Sequence, residues 1–285
     1  MSYFEKINLL IEPVNARIGA RVTGVDLSDT ISEVIKKKLC AALDKHQVIF
    51  FPNQELTPPQ QKQATRIFGP LLPSETFFDH LDDDPEIEVV INDEKTPPTG
   101  TAQWHADLTW AKEPPGGTSL YARKIPENGG DTMWVSMGAA YDSLSDRMKN
   151  YLEGLKAIHS WDLGLNGRRI IFGRGGDHYN DRMTKNPPME HPVIRTHPRT
   201  GRKTINVNQA FTSHIIGLSK LESTGILNFL FGLATRPEFQ VRHRWQVGTL
   251  AVWDNTATQH SAVDDFFPAY RELSRVTFGG HGAPK

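Results

Sequence analysis

The sequence predicts a mainly β (α+β) fold, a β-sandwich or jelly roll with helical decoration. Three observations predict it. Many short strand-like runs recur along the chain, bounded by Gly, Pro, Asn and Asp. Helical patterns come early or as insertions and do not alternate with strands, which argues against a doubly wound parallel sheet. The composition of the 285 residues, 38% hydrophobic and 23% charged, is globular rather than disordered, collagenous or coiled-coil.

The elements follow in chain order. Ile11, Val14 and Ile18 lead to Gly19 as a strand entry, and ARVTGVDLSD alternates before ending in a turn. Ser32 precedes a helix to about Lys45, and Cys40 lies beside its apolar stripe Ile35, Leu39, Ala42 and Leu43. QVIFFPN is a short buried strand. TPPQQKQATRIFG begins with Thr57 as N-cap and Pro58 at the first helical position, and Gly69 stops it. IEVVIND is a strand, EKTPPTGTAQ a loop, and WHADLTW a further strand. TSLYARKIP and GGDTMWVS read as strands. SMGAAYDSLSDRMKNYLEGL reads as one helix, with Tyr141, Leu144, Met148, Tyr151 and Leu152 on one face. Residues 159–190 read as irregular, the kind of long loop that is usually functional. TINVNQAF is a strand and SKLESTGILNFLFGLA a helix. FQVRHRWQVGTLAVWDN gives two strands joined near Gly248, and LSRVTFGG is the last strand.

Charge and cysteine content exclude several classes. Lys plus Arg number 32 against 33 Asp plus Glu, so nothing in the net charge of −1 draws the chain to nucleic acid or anionic lipid. No apolar run approaches the roughly 18 residues of a membrane helix, and MSYFEKINLL lacks the pattern of a signal peptide. A single cysteine excludes an intrachain disulfide and a cysteine-cluster metal site, and the expected compartment is the reducing cytoplasm.

The chemistry is concentrated in two stretches. In Trp104-His105-Ala106-Asp107, a strand would put His105 and Asp107 on one face, an imidazole beside a carboxylate. A third ligand is available in WDNTATQH, at His260. Two His and one carboxylate form the facial triad of non-haem Fe(II) oxygenases, with positions left open for substrate and O₂. Just beyond, RELSRVTF places Arg271 and Arg275 on one face of a strand, about 13 Å apart at ~3.3 Å per residue. Arginine offers a planar fork that grips a carboxylate at two points. His159, His191 and His197 read as packing residues, and Asp254 and Asn255 as turn formers.

These motifs resemble the taurine dioxygenase family of Fe(II)/2-oxoglutarate-dependent oxygenases. The resemblance runs in order through WHADLTW, PPGGTSLYARKIPENGGDTMW, HPRTGRKTINVNQAFT, FQVRHRWQVGTLAVWDNTATQH and YRELSRVT, nearly the whole chain. It implies a single domain over 1–285 with a double-stranded β-helix (jelly roll, cupin-like) core, and 159–190 as a lid or insertion. It implies Fe(II) on His105, Asp107 and His260, with O₂ and 2-oxoglutarate as cosubstrates. Thr132 and Arg271 would hold the 2-oxoglutarate, which leaves as succinate and CO₂. Arg275 matches the position facing a substrate's anionic group, and Phe211 and Leu108 line the same pocket. Presence of the Asp107 carboxylate favours hydroxylation over halogenation. A dimer or tetramer is implied as well.

The taurine-handling branch holds its substrate with a His, a Tyr and an Asn, where this chain has Ser74, Phe77 and Thr101. Loss of those polar groups makes taurine a poor fit. With Phe77 and Phe78 beside Phe211, the expected substrate is a small organic acid with a less polar body: an alkyl sulfonate, an alkyl sulfate ester or an aryloxyalkanoic acid. Two other readings stay open on the residues alone. A metal-dependent hydrolase or isomerase on a cupin-like barrel could use the same three ligands, but gives Thr132 and Arg271 no task. A non-catalytic jelly-roll binding module would have no need of open metal positions.

Overall fold

The computed structural model describes residues 9–73, 79–81, 84–98, 102–163 and 176–285. Its core is a large, almost wholly antiparallel sheet in the order β1 (Leu10–Pro13), β2 (Ala20–Thr23), β3 (Val48–Phe51), β15 (Leu250–Asp254), β7 (Gly117–Lys124), β17 (Arg271–Phe278), β6 (Asp84–Asn92) and β5 (Asp79–Leu81). Only β2 and β3 run parallel, and β4 (Leu71–Leu72) pairs with the end of β17. A three-stranded sheet of β14 (Gln240–His243), β8 (Thr132–Ser136) and β16 (Thr258–Ala262) packs against it.

The apolar run VIFF has no polar alternation because both faces of β3 are covered. Ile49 and Phe51 join Leu250, Val252 and Tyr121 beneath helix α1 (Glu33–His46), whose Ile35, Leu39 and Leu43 are buried in the same cluster. Val48 and Phe50 point the other way, into the space between the sheets, with Ala251, Trp253, Leu120, Trp134, Trp245 and Leu273. Trp134, from the smaller sheet, meets Phe50 edge-on at 5.5 Å and Trp253 at 5.6 Å between ring centroids. Such rings contribute large buried area to the inter-sheet core.

Local signals set the helix ends. Ser32 Oγ accepts from the Ile35 amide at the start of α1, and Thr57 and Gln60 form a capping box on α2 (Pro58–Thr65). That helix ends four residues before Gly69. The long helix expected over 136–155 is two: α3 (Met137–Asp142) and α4 (Asp146–Leu152). Ser145 caps the second by accepting from the Met148 amide, and Tyr151 lies exposed, not on the buried face. The described part of the 159–190 stretch is more regular than expected: it starts at the last residue of β9 (Lys156–His159), contains α5 (Gly176–Lys185) and runs into β10 (Met189–Pro192). TINVNQAF contributes only the three-residue β12 (Lys203–Ile205). The two strands flanking Gly248 belong to different sheets rather than to one hairpin. No helix among the described residues is long and apolar enough to cross a membrane.

Candidate active site

Strand β16 carries His260, and the segment before β7 runs antiparallel to it through a single bridge. The His105 amide donates to the His260 carbonyl at 3.1 Å, and the His260 amide to the His105 carbonyl at 2.7 Å. The two imidazoles face each other with ring centroids 4.2 Å apart. Beyond His105 the chain does not continue as the expected strand. It enters a turn at Asp107, and Leu108 takes a left-handed φ of 48°, an uncommon conformation for a residue with a Cβ. Asp107 opens that turn with its carboxylate alongside both imidazoles. Asp107 Oδ1 lies 3.8 Å from His260 Nε2, and one ligand atom from each of the three residues lies within 4.8 Å of the other two.

The three groups are prepared for a cation. His105 Nδ1 lies 2.6 Å from the Gln103 carbonyl, so Nδ1 carries the proton and the Nε2 lone pair is left for a ligand. Burial pushes the His105 pKa down, and takes His260 to about 3, with His105 adding to the shift. Both are neutral imidazoles near pH 7. Burial alone would raise the Asp107 pKa, but the Arg275 charge, helped by the Thr118 hydrogen bond, holds it well below the usual carboxylate range. Asp107 Oδ2 is fixed by Thr118 Oγ1 at 2.7 Å and by Asn255 Nδ2 at 3.3 Å, and Trp253 Nε1 donates to Asn255 Oδ1 at 2.9 Å. One carboxylate oxygen is thereby tethered and the other turned to the imidazoles. Neutral imidazoles plus an oriented carboxylate suit a divalent transition ion.

Beside this cluster lies a buried cation short of partners. Arg271 is only 4% exposed, packs over the Phe266 ring at 5.5 Å, and has an Nε with no hydrogen-bond partner. Its one side-chain bond is a long one, Nη2 to Thr132 Oγ1 at 3.5 Å. Burial lowers its pKa to about 10, against the opposing charges of Asp264 and Asp131. Trp245 Nε1 donates to the same Thr132 hydroxyl at 3.0 Å. That oxygen accepts from two donors and keeps its own O–H to give. Pairing of β16 with β8 sets Ala262 opposite Thr132 and His260 opposite Trp134, so Thr132 sits two residues along from the imidazole. A guanidinium fork and a hydroxyl, both buried and under-used, form a ready carboxylate site.

Arg275 faces the cluster from the other side. Its Nη2 donates to Asp107 Oδ1 at 2.9 Å and its Nη1 to Glu88 Oε2. Phe211 meets His105 edge-on at 6.0 Å between ring centroids. Ser74, Phe77, Phe78 and Thr101 lie outside the described residues. Sequence reasoning missed Thr118 and Glu88, and saw Asn255 only as a turn former. For Glu88 there was a signal, a carboxylate inside an apolar strand run.

A second group of the same composition, His197, Asp254 and His281, also has its ligand atoms within 4.8 Å of one another. Its hydrogen bonding excludes metal binding. His197 Nδ1 accepts from the Arg199 and Thr200 amides, each at 3.1 Å. The ring proton is therefore on Nε2, which donates to Asp254 Oδ2 at 2.7 Å. Neither nitrogen has a lone pair to offer.

A family model for the taurine catabolism dioxygenase TauD, TfdA family, matches residues 10–277. The chain belongs to this family. It is 33% identical over 282 residues, 96% of its length and 90% of the relative's, to an α-ketoglutarate-dependent sulfate ester dioxygenase of Pseudomonas putida. It is 31% identical, over 95% of its length and 98% of the relative's, to the 2,4-dichlorophenoxyacetate dioxygenase of Cupriavidus pinatubonensis. Its fold matches a taurine dioxygenase from Burkholderia xenovorans with a TM-score of 0.80 and 32% identity, over 97% of this chain and 94% of that one. It also matches AAD-2 solved with Mn(II) and N-oxalylglycine, with a TM-score of 0.82, 26% identity, and 97% and 99% coverage. As a TauD/TfdA-family member the protein is an oxidoreductase that requires Fe(II), 2-oxoglutarate and O₂.

Proposed function

We propose that the protein hydroxylates a small organic acid at the centre formed by His105, Asp107 and His260. Arg271 and Thr132 would receive the distal carboxylate of 2-oxoglutarate, and Arg275 the anionic head of the substrate. The observation that carries this reading is Arg271: a buried guanidinium with an unbonded Nε, beside a two-His, one-carboxylate cluster. A hydrolase using the same three ligands would give that unbonded Nε no task.

Iron with bound 2-oxoglutarate supplies the oxidising chemistry, in which O₂ converts the cosubstrate to succinate and CO₂ and hydroxylates a C–H bond. The chain supplies position. Gln103 sets the His105 tautomer, Thr118 and Asn255 aim Asp107, and the bridge between His105 and His260 holds the two imidazoles in register. Such supporting contacts are what hold a metal site to its geometry. Phe211 and Leu108 would wall the pocket and keep water from the reacting carbon.

Alkyl sulfate esters, alkyl sulfonates and aryloxyalkanoic acids are the substrate class. The relatives support this: their names specify sulfate esters, sulfonates and phenoxy acids. We read the two facing sheets as a double-stranded β-helix, residues 1–285 as one domain with 159–190 as a lid or insertion, of which 164–175 lie outside the described residues, and the working form as a cytoplasmic homo-oligomer. A panel of sulfonates, sulfate esters, aryloxy acids and amino acids, scored by succinate release, tests the substrate class. Coupled release with one of the first three groups and none with amino acids is expected; the reverse would contradict it.

A further inference from the structure

Glu88 stands directly opposite Arg275 in the antiparallel register of β6 and β17 and is 0% exposed. Its Oε2 accepts from Arg275 Nη1, while Arg275 Nη2 reaches Asp107 Oδ1 at 2.9 Å. A fully buried glutamate in an apolar strand is rare without a partner. Here the partner is the side chain placed to receive the substrate's head. Burial works against the Arg275 charge, yet the two carboxylates more than offset it and raise its pKa. The cation of the head-group site therefore comes with a resident counter-anion.

The consequence is electrostatic. Arg275, Glu88 and Asp107 together carry one negative charge. A divalent cation on Asp107 and one chelating carboxylate of 2-oxoglutarate would bring that total to zero. The substrate's head then meets a guanidinium that already carries a bonded carboxylate. An anion sharing that guanidinium lies within about 6 Å of Glu88, close enough for strong repulsion in a poorly screened interior, and the repulsion doubles with a second charge.

We propose that Glu88 is a specificity-determining residue that limits the head group to a single negative charge. It admits a sulfate ester, sulfonate or carboxylate and rejects a phosphate monoester or phosphonate dianion. Rejection here comes from a charge built against the wrong ligand rather than from shape. The inference rests on the organic-acid reading above and specifies the substrate class of that same site.

Hexyl sulfate and hexyl phosphate separate charge from shape. They have the same chain and nearly the same head, but near neutral pH the sulfate carries one charge and the phosphate close to two, its second pKa being about 6. Each is titrated anaerobically into protein loaded with Fe(II) and 2-oxoglutarate, and binding is followed through perturbation of the metal-to-2-oxoglutarate absorption band. Wild type should prefer the sulfate by at least ~10-fold, which corresponds to about 1.4 kcal/mol. Glu88→Gln should reduce the preference to within about 3-fold, chiefly by tightening the phosphate, and Glu88→Asp should retain it. The band before substrate addition reports whether each variant still assembles the cosubstrate site. Equal affinities in wild type overturn the proposal even if Glu88→Gln fails to fold, and so does an undiminished preference in a folded Glu88→Gln. Wild type that forms the band but binds neither ester nor any acid of the panel overturns the substrate reading itself.

Discussion

Among the described residues, two clusters of two histidines and one aspartate lie close together, and they differ in how their lone pairs are used. At His105, Asp107 and His260 the lone pairs are left over. The Gln103 carbonyl accepts from His105 Nδ1, Thr118 and Asn255 hold Asp107 Oδ2, and Arg275 Nη2 uses one lone pair of Oδ1, so the other still faces the imidazoles. At His197 and Asp254 they are used up, and only His281 keeps an unbonded nitrogen, its Nε2. His197 is bonded through both nitrogens, and Asp254 Oδ1 accepts from the Thr256 and Ala257 amides at 2.7 and 3.2 Å. Residue type and proximity are the same in both; hydrogen-bond accounting separates a binding site from a structural clasp. The clasp still serves the site. It shapes the turn that presents Asn255, and Asn255 orients Asp107.

The largest effect that could break this contrast comes from the ligands. Alanine at His105, Asp107 or His260 should abolish substrate-dependent succinate release while leaving the circular dichroism spectrum intact, whereas His281→Ala should keep turnover. Activity surviving any of the first three would remove that residue from the centre.

Next comes the clasp. Burial alone would raise the Asp254 pKa, but the His197 bond and neighbouring positive groups hold it at about 2, below the roughly 3.9 of an unfolded chain. A depressed folded pKa means stability that is present above pH ~4 and lost as pH falls through about 2. Asp254→Asn should therefore cost about 3 kcal/mol at neutral pH in urea unfolding. Its stability should also vary less than that of wild type over that acid window. A neutral effect would make the clasp dispensable.

The cosubstrate site tests the same logic from the cation side. Arg271→Lys replaces a fork by a point charge and should weaken 2-oxoglutarate binding by about 30- to 150-fold, or about 2–3 kcal/mol. The absorption band of the anaerobic complex measures it, and unchanged affinity would remove Arg271 from the site. Smaller again, Asn255→Ala frees one tether of Asp107 and should lower metal affinity by roughly 10- to 100-fold, read by competition with a chelating dye. A larger stability loss without that affinity change would make Asn255 part of the clasp alone.

Much of this site was legible in the sequence, though not always for the reason that applied. The spacing in WHAD indicated that His105 and Asp107 come together, and they do, although the chain leaves the His260 strand after one bridge and turns at Leu108 instead of continuing as a strand. Arg271 and Arg275 were readable as neighbours on one strand, and both are buried in β17, although every residue from Leu273 on is buried too and the pairing with β7 shifts register between Glu272 and Leu273. Glu88 was not readable as a partner of Arg275. The run IEVVI marks a strand, but its register against a strand nearly two hundred residues away is set by tertiary pairing. The break between α3 and α4 was hidden for a similar reason. Apolar spacing continues across it, and the Ser145 cap decides locally where the second helix begins.

The most direct test of the central claim, that unspent lone pairs select one cluster over the other, is an anaerobic Fe(II) titration in the presence of 2-oxoglutarate, with metal counted per chain. The account predicts one ion per chain, with the absorption band saturating at that point. It further predicts that the ion is lost in His260→Ala and retained in His197→Ala protein that remains folded. Two ions per chain, or one ion that survives His260→Ala and disappears with His197→Ala, would contradict it.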